Sequence, residues 1–174
     1  MSKIKLIVLD VDGVLTDGRL FIGSDGVEYK AFHTQDGMGI SLAHQAGIKT
    51  AIITGRKSMA VIKRAEELKI DFIYEGIVDK LTVLQELIDQ IGIDIEEVCY
   101  MGDDLNDIPV LTEVGFPCAP NNAIDYVKKQ VKLVTKTSGG YGAVREMIDF
   151  LLKQQFDDEQ ILELFLKRKS EVTQ

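Results

Sequence analysis

Ile4-Lys5-Leu6-Ile7-Val8-Leu9-Asp10-Val11-Asp12-Gly13-Val14-Leu15-Thr16-Asp17 runs from an apolar stretch straight into carboxylates. A continuous apolar run of this length, ending in an acid, reads as a strand buried on both faces, the kind found in parallel sheets. Asp10 and Asp12 stand two apart. In an extended chain they project to the same side. Gly13 then lets the backbone leave sharply. Open α/β sheets place ligands outside the carboxyl ends of their strands, which is where this pair falls. Neighbouring carboxylates can divide labour, one ionised as nucleophile and one as general acid and base. Taken alone, the same pair also suits a turn or a cap.

Outward from this strand the chain alternates short β-type runs with helices, the signature of an α/β sheet of mostly parallel strands. Leu20–Ile22 and Val27–Phe32 flank Ser24-Asp25-Gly26 and predict a β-hairpin over about 19–33. Strands are expected at Ile48–Thr54, Phe72–Tyr74, Glu97–Met101, Phe116–Ala119 and Lys132–Val134. Helices are expected at Met38–Ala46, stopped by Gly47, at Ser58–Leu68, at Asp79–Ile91, closed by Gly92, and at Leu105–Val114. Gly139-Gly140-Tyr141-Gly142 reads as a flexible loop before a helix at about Ala143–Leu152. A helical tail follows over about 156–174, with Ile161, Leu162, Phe165 and Leu166 on one face. The expected fold is therefore a Rossmann-like, doubly wound, mostly parallel sheet with an inserted hairpin.

The 174 residues make one domain, 1–174, with 45% apolar residues to build its core. Lysine and arginine number 20 against 28 acids, a net charge of −8, and no basic run breaks the balance. This argues against nucleic acid as a partner, since nothing would displace counterions from a phosphate backbone. No segment approaches the roughly 18 apolar residues of a membrane span, and the first apolar run is too short for a signal peptide. Cys99 and Cys118 have no metal-ligand spacing and read as buried thiols, which points to the cytoplasm.

Chemistry gathers at the other strand ends. The second long strand closes in Ile53-Thr54-Gly55-Arg56, bringing a hydroxyl and a guanidinium to the same edge. Lys80 opens a helix after the third, and the fourth closes in Gly102-Asp103-Asp104-Leu105-Asn106-Asp107. A single lysine is by default a solvated surface residue, and acids favour helix N-termini. Together, however, carboxylates with open positions suit Mg²⁺, while a lysine and a hydroxyl suit phosphate oxygens.

These four ordered motifs resemble the haloacid dehalogenase-like phosphohydrolases. The resemblance implies that Asp10 forms an aspartyl-phosphate and that Asp12 protonates the leaving alkoxide and then activates water. It implies that Mg²⁺ is held by Asp10, the backbone carbonyl of Asp12, and Asp103. Thr54 and Lys80 would bind the transferring phosphoryl group, and Asp104 and Asp107 would orient Lys80 and metal-bound water. Thr54 and Lys80 are 26 positions apart, and Asp12 to Thr54 holds only hairpin, helix and strand, so neither interval has room for a cap domain.

Within that capless branch the chain resembles the phosphatases of 3-deoxy-D-manno-octulosonate 8-phosphate (KDO 8-phosphate), over about residues 1–155. The segment Phe32-His33-Thr34-Gln35-Asp36-Gly37 and the later Gly-Gly-Tyr-Gly-Ala-Val-Arg-Glu carry this part of the likeness. It implies a homotetramer joined through its hairpins. It also implies that a sugar-acid phosphate is met by His33, Thr34, Gln35, Asp36, Gly37 and Asn106, with Arg56 as a clamp for a carboxylate. Arg145 fits equally a neighbouring site or a solvated helix face, and His44 reads as a structural residue without partners. The helical tail departs from the family pattern and leaves open whether it packs on its own domain or on a neighbour. Rival readings are a phosphatase for a nine-carbon keto-deoxy sugar acid 9-phosphate or for nucleotides, a noncatalytic assembly module, and a phospho-accepting receiver domain.

Overall fold

The computed structural model describes residues 3–172. Positions 173–174 of the expected tail lie outside the described residues. The first strand, β1 (Leu6–Leu9), is fully buried. It is followed by a tight turn, Val11–Leu15, closed by Thr16 N–H donating to the Val11 carbonyl at 3.0 Å. The hairpin strands β2 (Phe21–Ile22) and β3 (Glu28–Tyr29) are antiparallel and form a separate small sheet. Helix α1 (Thr34–Gln45) leads to β4 (Lys49–Thr54), α2 (Met59–Glu67) to β5 (Phe72–Glu75), and α3 (Lys80–Ile91) to β6 (Val98–Met101). A short helical turn, Leu105–Asp107, and α4 (Ile108–Leu111) precede β7 (Phe116–Ala119). Then come α5 (Asp125–Lys128), β8 (Leu133–Val134), α6 (Ala143–Lys153) and α7 (Asp158–Val172).

Among the described residues six parallel strands form the main sheet, in the order β5-β4-β1-β6-β7-β8. The chain winds outward from β1 through β4 and β5, then crosses back to β6. The carboxyl ends of β1, β4 and β6 therefore meet at a topological switch point. Both faces of β1 are covered. Ile7 and Leu9 pack with α1, α2 and α6, whereas Leu6 and Val8 pack with α3, α4 and α5. This two-sided burial explains why β1 reads as a continuous apolar run rather than an alternating one, and each such side chain contributes roughly 1.5–3 kcal/mol.

The structure differs from the expected elements in several places, among them the hairpin, whose second strand is only Glu28–Tyr29, and α5, which was not expected. Helix α1 begins at Thr34 rather than Met38. The expected helix over Leu105–Val114 is broken into two short turns at Asp107, with Pro109 in the first turn of α4. The glycine segment 139–142 is pinned rather than loose: Gly139 N–H donates to Asn122 Oδ1 at 2.6 Å and Gly140 N–H to the Val14 carbonyl at 3.2 Å. On α7, Ile161 and Phe165 pack on the core of their own domain, while Leu162 and Leu166 are exposed.

Candidate active site

Asp10 follows β1 and accepts a hydrogen bond from Val11 N–H at 2.7 Å through Oδ1. Its Oδ2 lies 2.8 Å from Lys80 Nζ. Lys80, at the first position of α3, is buried and also donates to Asp107 Oδ1 at 2.7 Å. Asp107 Oδ1 further accepts from the buried Tyr100 hydroxyl at 2.6 Å. The second Asp107 oxygen accepts from the backbone N–H groups of Asp103 and Asp104, at 2.9 and 3.3 Å. Asp107 thus fastens the lysine of one element to the acidic loop of another.

Carboxylate oxygens of Asp10, Asp103 and Asp107 all lie within 4.8 Å of one another. This donor set suits a hard divalent cation. Asp107 is committed to four donors and Asp10 to Val11 N–H and Lys80, so Asp103 is the least engaged of the three. Burial, and then the charges of Asp10, Asp107 and Asp104, push the Asp103 carboxyl up to about 7. Burial also raises Asp10, against the opposing pull of Lys80. So much negative charge in one half-dry place calls for a counter-cation beyond Lys80. The turn leaves room for close approach here: Gly13 has φ +84°, and a Cβ on it would overlap the Asp103 carboxylate.

A cavity of about 250 Å³ opens over these groups. Asp10, Asp12, Asp103 and Asp104 line it, together with Thr54 from the end of β4 and Arg56 and Asn106 from the flanking loops. Three of the four sequence motifs thus line one cleft, and the fourth, Lys80, reaches it through Asp10. Asp104 differs from expectation: it caps the short turn, its Oδ1 accepting from Leu105 N–H at 2.7 Å, and it makes no hydrogen bond to Lys80. Arg56 is held by Glu28 at 2.7 Å and lies 3.7 Å from Asp12.

The segment 33–37 is not brought into this cavity. Asp36 is buried and accepts from Arg145 N–H at 2.8 Å, and Gly37 packs against Arg64 and Leu68 of the α2 region. His33 and Gln35 approach Gly142, while Thr34 is exposed at the start of α1. Arg145 binds Asp149 along its own helix at 2.8 Å. His44 has a partner after all, Thr50 Oγ1 at 2.7 Å.

Sequence reasoning passed over three groups near the site. Tyr100 looks like another core residue of an apolar strand. Asn122, whose side chain donates to the Gly13 carbonyl at 2.9 Å, ties the glycine segment to the turn after β1. Lys30 leaves the hairpin to meet Asp12. The one available signal was the Glu28-x-Lys30 alternation, which puts both side chains on one side of a strand.

Comparison with known proteins bears on this geometry. The sequence profile of the haloacid dehalogenase-like hydrolases matches residues 72–148. The 3-deoxy-D-manno-octulosonate 8-phosphate phosphatase KdsC of Escherichia coli K12 is 44% identical over 154 residues, 88% of this chain and 82% of that one. The chain belongs to the KDO 8-phosphate phosphatase family of haloacid dehalogenase-like hydrolases. Solved structures of this kind superpose closely. The KDO 8-phosphate phosphatase of Moraxella catarrhalis, solved with magnesium, phosphate and KDO, matches with a TM-score of 0.90 and 42% identity, covering 93% of each chain. A probable YrbI family phosphatase from Pseudomonas syringae matches with a TM-score of 0.90 and 44% identity, covering 94% of this chain and 93% of that one. The fold of this KDO 8-phosphate phosphatase family member is thus the capless α/β fold read from its motifs.

Proposed function

We propose that the chain hydrolyses KDO 8-phosphate to KDO and phosphate, with Mg²⁺ as cofactor and Asp10 as nucleophile. The observation that carries the mechanism is the buried Lys80, shared between Asp10 and Asp107 beside the Asp103 carboxylate group. An anionic carboxylate must approach a phosphomonoester that is itself anionic. Lys80 and Thr54 stand where phosphoryl oxygens would be received, and Lys80 offsets the charge that grows in the transition state. Asp10 and Asp103, with the backbone carbonyl of Asp12, would hold the Mg²⁺, which supplies Lewis-acid neutralisation of the phosphoryl oxygens when bound.

Asp10 attacks phosphorus, and the ester oxygen leaves with a proton from Asp12. Asp12 then takes a proton from water as that water displaces Asp10 from phosphorus, splitting one hard step into two easier ones. On the sugar side Arg56 and Asn106 line the cavity, and Arg56 offers a fork that matches a carboxylate. His33, Thr34 and Gln35 lie outside this chain's cavity.

The same reading takes residues 1–174 as one phosphatase domain without a cap, and a homotetramer as its assembly. Support for assembly comes from the hairpin, where Leu20, Phe21, Ile22, Val27 and Tyr29 are exposed. No described helix is long and apolar enough to cross a membrane. Two free buried thiols fit the cytoplasm.

Comparing kcat/KM with Mg²⁺ for KDO 8-phosphate, a nine-carbon keto-deoxy sugar acid 9-phosphate and a nucleoside monophosphate tests the substrate. A preference of at least about tenfold for KDO 8-phosphate is expected. A preference for the nine-carbon ester would move the assignment to that substrate, and no turnover of any ester would leave an assembly module.

A further inference from the structure

We infer that Lys30 of the hairpin positions Asp12 for its proton transfers, an inference that rests on the acid–base reading of Asp12 above. Glu28 and Lys30 stand two apart at the end of β3 and face the same side, while Tyr29 points away and is exposed. The Lys30 side chain is only 1% exposed. Its Nζ donates to Asp12 Oδ1 and lies 3.3 Å from Glu28 Oε1. A buried ammonium is costly unless it is paired. These two carboxylates are its ion-pair partners among the described residues.

Among the described residues Lys30 is also the hydrogen-bond donor to the Asp12 carboxylate. Arg56 is a poorer holder of that group. Its side chain is 49% exposed, its Nη2 is committed to Glu28, and it stands 3.7 Å from Asp12. Asp12 sits on the tight turn after β1, where among the described residues the only other charged group against its carboxylate is the more distant Arg56. General acid–base catalysis needs that carboxylate within hydrogen-bond reach of the departing or attacking oxygen. Lys30 supplies the restraint and ties the hairpin stem to the catalytic turn. In the first half-reaction the proton passes from Asp12 to the ester oxygen as the ester P–O bond breaks and the Asp10–phosphorus bond forms. In the second, water loses a proton to Asp12 as it bonds to phosphorus and the Asp10 oxygen leaves.

Leaving-group dependence separates this role from a structural one. KDO 8-phosphate is an alkyl ester whose oxygen must be protonated to leave. The phenolate of p-nitrophenyl phosphate leaves without a proton. Because kcat/KM covers only the steps up to release of the alcohol, it isolates the acid role of Asp12. For Lys30→Met, kcat/KM toward KDO 8-phosphate is expected to fall about 100-fold. Toward p-nitrophenyl phosphate it should stay within about threefold, with kcat and KM falling together because water activation is impaired. The retained aryl value also serves as the folding control.

An equal fall with both esters, or no fall with either, would overturn the inference. If Lys30→Met does not fold, Lys30→Gln is measured in the same way, and failure of both to fold makes Lys30 a structural residue. Asp12→Asn runs beside them. Should it lack the alkyl–aryl split, the acid–base reading itself fails. Should it show the split while Lys30→Met does not, only the role of Lys30 fails.

Discussion

Asp107 and Asp103 show how carboxylates of similar sequence context acquire different duties. Asp107 is buried and takes hydrogen bonds from Lys80, Tyr100 and two backbone N–H groups, so its charge is spent on holding the loop in place. Among the described residues Asp103 has no such donors on its carboxylate, and burial with nearby acids pushes it up to about 7. Across the window from its ordinary value to about 7, the folded chain keeps a proton there that the unfolded chain has lost. Rising pH through that window therefore erodes the stability of the metal-free protein, and protons compete with Mg²⁺ below about 7. Asp103→Asn removes the penalty. At about pH 8 it should raise the metal-free Tm by about 3 °C, equivalent to roughly 1 kcal/mol. The variant should also lose the Tm increase that Mg²⁺ confers on the parent. A metal-free Tm that does not rise would show that the Asp103 charge is tolerated without a cation.

Helix α7 closes the α1 side of the sheet through Ile161 and Phe165, with Phe156 at its approach. Truncation after Gln155 strips these three partly buried side chains, a loss of roughly 3 kcal/mol. Thermal melting should fall by about 6–12 °C, while kcat/KM stays near the parent value. A large loss of activity at unchanged stability would instead make the tail part of the site. The strands of the main sheet were legible because two-sided burial writes them as apolar runs bounded by glycine and acids. The first turn of α1 was not. Gly37 argues against a helix on intrinsic preference, and like Gly39 further on it has no room for a Cβ, which would press on Arg64 and Leu68 at the one and on Arg145 at the other. Close helix packing, which only the tertiary fold reveals, is why those glycines stand inside a helix. Three of the four motifs were legible because each falls at a strand end, and the fourth, Lys80, because it opens the helix after one. Lys30 was not, since its partner is 18 positions away across a hairpin whose lean no local pattern specifies.

As a whole, the molecule is a cleft without a lid. A cavity of about 250 Å³ bordered by acids is open to water on one side, while the hairpin beside it presents Phe21, Ile22 and Tyr29, each more than half exposed. Exposed aromatic and aliphatic side chains on a short two-stranded ribbon mark an interaction surface. If the hairpin joins the proposed tetramer, replacing Phe21 and Tyr29 by serine should lower the mass seen by light scattering. An unchanged mass would remove the hairpin from the assembly. The most direct examination of the mechanism is acid-quenched mass spectrometry of the peptide carrying Asp10, sampled during turnover of KDO 8-phosphate with Mg²⁺. A phosphoryl group should appear on Asp10 within the first turnover and disappear as substrate is exhausted. Turnover at full rate with the phosphoryl group on another residue, or on none, would exclude Asp10 as the nucleophile.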